Sequence, residues 1–325
     1  QLVPSTETDI HERNVAGFAQ YELPLSKWAI GLGMRYENII RDYFSGGVKQ
    51  DDVSRRYSNF FPNLSISWNK GNWNWQLNVT EKIHRPSYRQ LGNFMQFDNR
   101  FSYEGGNPAL QPEKVFNAEA MMTYKWLNVS AGYKYLKDVI EWTEYIYPGK
   151  EYSYTTSLNF DHKHLLYASV NVTPKFGIFR PTWEFDYSQQ FFDTRKYGAG
   201  KALSKPLLSC SLDNNFALSE TMNAAISLNA ATPNADGFLM MKSDYSVDLR
   251  FDKSFANRTW IIYLSANDIF KTSKERWTMY GLGSDNMKDC YNYTRSISLQ
   301  VTYNFNAKRS KYKGTGAGNE ERSRL

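Results

Sequence analysis

Residues 296–305 alternate polar and apolar without a break: Ser296, Ser298, Gln300, Thr302 and Asn304 against Ile297, Leu299, Val301, Tyr303 and Phe305. Side chains of a strand point to opposite faces with period two, so the segment has one wholly apolar and one wholly polar face. The pattern recurs along the chain. Leu64, Ile66 and Trp68 oppose Asn63, Ser65 and Ser67; Tyr245, Val247, Leu249 and Phe251 oppose Ser246, Asp248 and Arg250. The polar face is mostly Asn, Ser, Thr and Gln, where a soluble sandwich would carry Lys and Glu. Alternating segments of about ten residues, bounded by turns and ending in aromatic residues, are the pattern of a transmembrane β-barrel.

Composition agrees. The chain holds 23 Tyr, 20 Phe and 9 Trp, yet its mean hydropathy is −0.61. So many rings in so polar a chain must be displayed thinly and periodically. No run approaches 18 apolar residues, which excludes helical membrane spans. A barrel needs no such run, because only alternate residues meet lipid. Cys210 and Cys290 are too few for a disulfide scaffold and lack the short spacing of a zinc site. The net charge of +6 lies partly in a Gly-containing tail, with Lys308, Arg309, Lys311, Lys313, Arg322 and Arg324. No nucleic-acid fold accompanies that tail, so a solvated terminus is expected and no nucleic-acid partner. The opening Gln1-Leu2-Val3-Pro4 carries no signal segment, and the expectation is a fragment of a longer chain.

Alternation and turn signals together predict about thirteen strands. They fall near 13–22, 27–43, 55–69, 72–84, 114–125, 127–143, 152–173, 178–192, 205–217, 222–232, 241–253, 258–275 and 290–305. Their connections alternate between short and long, the long ones being 44–54, 85–113, 144–151, 193–204, 233–240 and 276–289. Antiparallel neighbours send every second connection to the same rim. Short periplasmic turns on one side and long extracellular loops on the other follow. The expected division is a barrel over 1–307 and a basic periplasmic tail over 308–325.

Four stretches carry a family resemblance: Arg85-Pro86-Ser87-Tyr88-Arg89-Gln90-Leu91; Gly106-Asn107-Pro108-Ala109-Leu110-Gln111-Pro112-Glu113; Asn267-Asp268-Ile269-Phe270; and Tyr303-Asn304-Phe305 with Gly314-Thr315-Gly316-Ala317-Gly318-Asn319-Glu320-Glu321. With the strand spacing, the chain resembles the C-terminal part of a TonB-dependent outer-membrane receptor, of the outer-membrane β-barrel family. The second stretch is the most specific and matches the family pattern at Gly106, Asn107, Pro108, Leu110, Pro112 and Glu113. The resemblance implies a Gram-negative outer membrane and a plugged barrel of roughly 22 strands. It also implies active import of a nutrient ligand, energised by the TonB complex through a region before Gln1. A half barrel would leave open edges in lipid, where unpaired backbone groups cost several kcal/mol each, so this part is not expected to close alone.

Prolines at 108 and 112 fix φ near −65° and hold their predecessors extended, so 107–113 reads as a rigid strap into the next strand, with ligand contact as the alternative. Gly105-Gly106 reads as a positive-φ turn. Phe94, Phe97, Phe101, Tyr103, Tyr145 and Trp277 are candidate ligand contacts, together with Tyr147, Tyr152, Tyr154 and Tyr280, since exposed rings beside polar groups suit an amphipathic ligand such as a siderophore or a glycan. Rings at a rim also form the interfacial girdle. The stretch 93–103 is expected to be dispensable for strand pairing. Arg35, Glu37, Glu119, Lys134, Glu184, Asp186, Asp248 and Arg250 are expected in the lumen. His162 and His164 have one carboxylate near them, Asp161, short of a metal set, and read as solvated loop histidines. Gly31-Leu32-Gly33 and Gly198-Ala199-Gly200-Lys201 lack the elements of nucleotide-binding loops. No nucleophile elbow or catalytic carboxylate pair stands out, so neither an enzyme nor a cofactor is expected. A passive porin-like or adhesin-like barrel is the alternative function, and a soluble all-β binding protein a third. A surface lipoprotein partner is left open.

Overall fold

The structure is a computed structural model and describes residues 7–256 and 259–305. Its backbone is one long antiparallel run of strands in sequence order. These are β1 (Thr8–Leu25), β2 (Trp28–Ser45), β3 (Arg55–Lys70), β4 (Trp73–His84), β5 (Glu113–Tyr124), β6 (Leu127–Ile146) and β7 (Ser153–Val172). After them come β8 (Phe179–Phe191), β9 (Leu207–Ser219), β10 (Met222–Ala231), β11 (Asp244–Phe255), β12 (Trp260–Asn267) and β13 (Ser296–Tyr303). β1 and β13 are the two edges, and among the described residues no ladder joins them. The sheet is open. The tail expected at 308–325 lies outside the described residues, as does the fourth stretch of the resemblance from Gly314 onward.

Register joins like to like. Leu299 pairs with Leu264, Val301 with Ile262 and Tyr303 with Trp260, while Ser298 pairs with Ser265. Farther along the sheet, Trp68 pairs with Trp75 and Ile66 with Leu77. A one-residue slip would exchange the two faces, so the pattern itself fixes the register. At the short-turn end the outward rings run on from strand to strand, with Trp73 4.2 Å from Tyr124 and Trp260 4.4 Å from Tyr303 between centroids. Three of the two-residue turns begin on a residue with positive φ: Ser26 at 50°, Gly71 at 60° and Lys125 at 53°. Tight hairpins favour this, because primed turns match the strand twist.

Three expectations need correction. The twelfth strand ends at Asn267, not near 275. Asp268, with φ 44°, breaks it and folds its carboxylate back onto the Thr272 and Ser273 amides at 2.7 and 3.2 Å, while Thr294 Oγ1 donates to it at 2.6 Å. Accordingly, β13 begins at Ser296 rather than 290. His162 and His164 lie within β7, not in a loop, and on its outward face: Tyr133 OH is 2.6 Å from His164 Nδ1, and Tyr135 packs against both rings.

Candidate functional site

The loops fold across the polar face rather than standing away from it. Gln190, on the polar face of β8 with Glu184, Asp186 and Ser188, accepts from the Gly237 amide at 2.8 Å and donates to the Leu203 carbonyl at 2.8 Å. Lys163 of β7 pairs with Glu141 of β6 and lies 3.8 Å from Asp236 in the loop after β10. The loop after β12 reaches farther, where the Leu282 amide donates to the Glu144 carbonyl of β6 at 2.7 Å. These two loops form their own four-stranded sheet from Asn234–Asp236, Leu239–Met241, Glu275–Tyr280 and Asp285–Cys290. Beneath it Val139, Phe160, Phe192, Ala199, Phe238 and Met279 make a buried apolar cluster. Burying the Val, Phe and Met side chains of this cluster stabilises by about 1.5–3 kcal/mol each, enough to hold a lid of irregular loops in place.

The loop after β4 is the second part of this cover. A one-turn helix, Tyr88–Leu91, carries a capping box in which Ser87 and Gln90 satisfy each other's amides. A hairpin follows, Met95–Asn99 with Ser102–Gly105, whose second strand pairs in parallel with Ser153–Thr155 of β7. The stretch 93–103 therefore does take part in strand pairing, contrary to expectation. β8 runs beside β7 only from His164 onward, so the outer end of β7 would otherwise expose unpaired amides and carbonyls.

The strap completes that edge. Asn107 Nδ2 donates to the Ser157 carbonyl at 3.1 Å, and the Asn159 amide group exchanges hydrogen bonds with the Gln111 backbone at 2.8 and 2.9 Å. Leu110 is wholly buried, and its carbonyl accepts from Arg41 at 2.9 Å. The Glu113 carboxylate accepts from the Ile140 amide at 2.9 Å. These contacts give the motif a structural place in the wall. The two glycines before it are required for space and not for positive φ, which neither has. A Cβ on Gly106 would lie 2.1 Å from the Gly92 carbonyl oxygen, and one on Gly105 2.1 Å from the Tyr154 hydroxyl.

Hairpin and strap bring six of the ten candidate contacts together. Phe97 packs on Tyr103 at 5.6 Å, Tyr103 on Tyr152 at 4.7 Å, and Tyr152 on Tyr147 at 5.3 Å. Tyr145 joins them through Tyr147 at 6.5 Å and Tyr154 at 5.7 Å. Phe97 remains 49% exposed while Tyr103 and Tyr154 are buried, so the cluster has a rigid floor and an open edge. Burial raises the Tyr152 pKa, and the neighbouring phenols Tyr147 and Tyr103 add to the shift, keeping its hydroxyl neutral. Phe94 flanks the site under Arg89, and Phe101 stands apart, 63% exposed. Trp277 belongs elsewhere: it packs against the apolar cluster and edge-on to Trp142 at 6.4 Å. Tyr280 packs there too. Sequence reading missed Trp142, Glu141, Lys163 and Gln190, whose roles depend on which loop reaches them.

The expected inward charges lie on the polar face and mostly find partners there. Arg35 and Arg85 both pair with Glu37, Arg250 donates to Asn215 at 3.1 Å, and Lys134 lies 5.0 Å over the Tyr167 ring. Among the described residues no group of three metal-ligating side chains comes together.

The chain matches the model of the outer membrane protein β-barrel family over residues 3–303. It belongs to that family. This places the chain in the Gram-negative outer membrane; in such proteins the apolar alternates of each strand turn outward to lipid. Solved structures of similar fold include the copper transporter OprC, with TM-score 0.67 and 12% identity over 91% of this chain and 48% of that one. The siderophore receptor PirA from Pseudomonas aeruginosa gives TM-score 0.56 and 11% identity over 91% and 57%. The FrpB iron transporter from Neisseria meningitidis gives 0.58 and 12% over 90% and 44%. At such identities the likeness shows the fold alone. The chain spans about half the length of these structures. No curated protein matches it in sequence.

Proposed function

We propose that the chain is the C-terminal wall of an outer-membrane importer that takes a nutrient ligand, a siderophore, glycan or similar, on the ring cluster of Phe97, Tyr103, Tyr145, Tyr147 and Tyr152. In this reading further strands close the barrel at about 22, a plug fills its lumen, and the TonB complex supplies energy through the rest of the receptor. The open edges of β1 and β13 support the first element, since unpaired strands are not tolerated in lipid. The half-length match to structures named as transporters and receptors supports the second and third. The observation that carries capture is the ring cluster itself: neutral aromatic faces on a rigid floor at the mouth of the polar face, with one edge in solvent.

Because 102–104 is paired to β7, the test uses point variants rather than a loop deletion. The full receptor is titrated with a ferric catecholate chelate and with a linear oligosaccharide, following intrinsic fluorescence. Stacking on rings contributes about 0.5–1.5 kcal/mol per pair, so Phe97→Ala with Tyr147→Ala is expected to weaken whichever probe binds by about tenfold. A probe that binds both proteins equally places capture elsewhere. Uptake that persists after the proton-motive force is collapsed favours the passive barrel.

A further inference from the structure

The outward face of β5, β6 and β7 ends in a row of basic side chains that the import reading does not use. Travelling toward the loops, each strand shows lipid-facing apolar alternates, then a ring, then a basic residue: Phe116 then Lys114, Tyr135 then Lys137, His164 then His162. The register sets them side by side, Lys114 opposite Lys137 and Lys137 opposite His162. Like charges opposed on adjacent strands are destabilising, so the arrangement calls for a counter-ion. Among the described residues neither lysine has a carboxylate within ion-pair distance, and Lys137 is exposed. Asp161 is occupied by Lys196 and His162, each at 3.1 Å. Glu113 is buried toward the polar face, and Glu81 lies one outward position lower, opposite Phe116.

The backbone ends the outward wall at this row. Asp138 adopts φ 54°, the ladder skips from the Val139–Phe160 pair to the Lys137–His162 pair, and Val139 and Phe160 turn into the buried apolar cluster. Such a bulge re-aims the strands around it. Lys114, Lys137 and His162 are thus the last outward side chains before this break in the ladder. They lie directly beyond the rings that mark the membrane interface, at the level of lipid headgroups.

We propose that this row binds the phosphate of a phosphorylated outer-leaflet lipid, whose acyl chains lie along the apolar alternates below. The pairing of cations above with apolar wall beneath selects a lipid over a free anion. A basic residue near a charged membrane surface contributes about 1 kcal/mol, which is about fivefold in affinity. Native mass spectrometry of the detergent-solubilised full receptor, with purified bisphosphorylated lipid A as probe, reads this directly. Lys114→Gln with Lys137→Gln is expected to lower retention of the probe about 25-fold and leave phosphatidylethanolamine unchanged, and Lys137→Glu alone is expected to lower it at least as much as one neutralised lysine. Lys70→Gln with Lys175→Gln, the same charge change at the opposite rim, is expected to have no effect. Heat-modifiable gel mobility on each variant shows that the barrel is intact. Equal retention by both double variants would overturn the site. Displacement of the lipid by millimolar inorganic phosphate would overturn the choice of a lipid ligand.

Discussion

Leu110→Ala tests whether the strap is part of the wall or a ligand arm. Leu110 is wholly buried, and truncating such a residue costs about 2–5 kcal/mol through lost transfer energy and the cavity left behind. The Arg41–Leu110, Asn107–Ser157, Asn159–Gln111 and Glu113–Ile140 hydrogen bonds hold the same eight-residue stretch and contribute about 0.5–1.5 kcal/mol each. The truncation therefore removes an amount comparable with everything else that keeps the strap docked. Local opening should become more frequent by about thirty- to four-thousand-fold at one decade per 1.4 kcal/mol. Hydrogen exchange reads this at the Leu110 amide, bonded to the Asn107 carbonyl at 3.2 Å, and at the Gln111 amide. The lipid-facing strands should keep their protection and the protein its heat-modifiable mobility. Unchanged exchange at 110 and 111 would refute the packing argument, and loss of the whole barrel would show that the strap is not a local unit.

Trypsin applied to intact cells should cleave at Arg100 or Lys150 and spare Lys70, Lys125 and Lys175; all five are exposed, so only sidedness separates them, and cleavage at the short turns would invert the orientation. Glu275 is held at about 2 by hydrogen bonds from Lys288, Trp277 and Asn292. Its folded pKa lies below the ordinary 4.5, so its contribution is present above pH 4.5 and lost as pH falls from 4.5 towards 2. Exchange across residues 275–290 should accelerate over that interval in the native receptor and lose this pH dependence in Glu275→Gln. Gly106→Ala should disturb the strap because its Cβ would meet the Gly92 carbonyl, whereas Gly149→Ala, in open space at φ 72°, should cost only local backbone strain. Exchange at Asn107 in the two variants separates these outcomes.

The strand order, the two faces and the alternation of turns with loops were legible because each is written in period two and in turn chemistry, both local properties. Residues 296–303 show it most clearly: the polar and apolar alternates read in sequence are the residues that register with Ser265, Leu264 and Ile262. The stop at Asp268 was less legible, because the apolar run Ile269-Phe270 continues the pattern and only the carboxylate's hydrogen bonds to Thr272 and Ser273 end it. Of the candidate contacts, Phe97, Tyr103 and Tyr145 converge and Trp277 does not. Nothing local distinguishes them, since the difference lies in a parallel pairing of 102–104 with 153–155 and a hydrogen bond from Leu282 to Glu144. Contacts of such sequence separation carry no periodic signature. The glycines at 105 and 106 misled for a related reason: glycine serves either positive φ or close approach, and only the neighbours Tyr154 and Gly92 tell which.

The central claim is that the outward alternates of each strand face lipid and the inward ones face water, and an arginine scan of β13 in the full receptor tests it most directly. Leu299 and Val301 pair with Leu264 and Ile262 on the outward face, and Gln300 lies between them on the other, with its side chain bonded to Thr302 at 3.3 Å. Arginine on the lipid face at mid-membrane costs about 2–4 kcal/mol. Leu299→Arg and Val301→Arg should each lower the yield of heat-modifiable barrel in the outer membrane, while Gln300→Arg assembles as the native protein does. Equal yields for the three variants, or a defect confined to Gln300→Arg, would contradict the account.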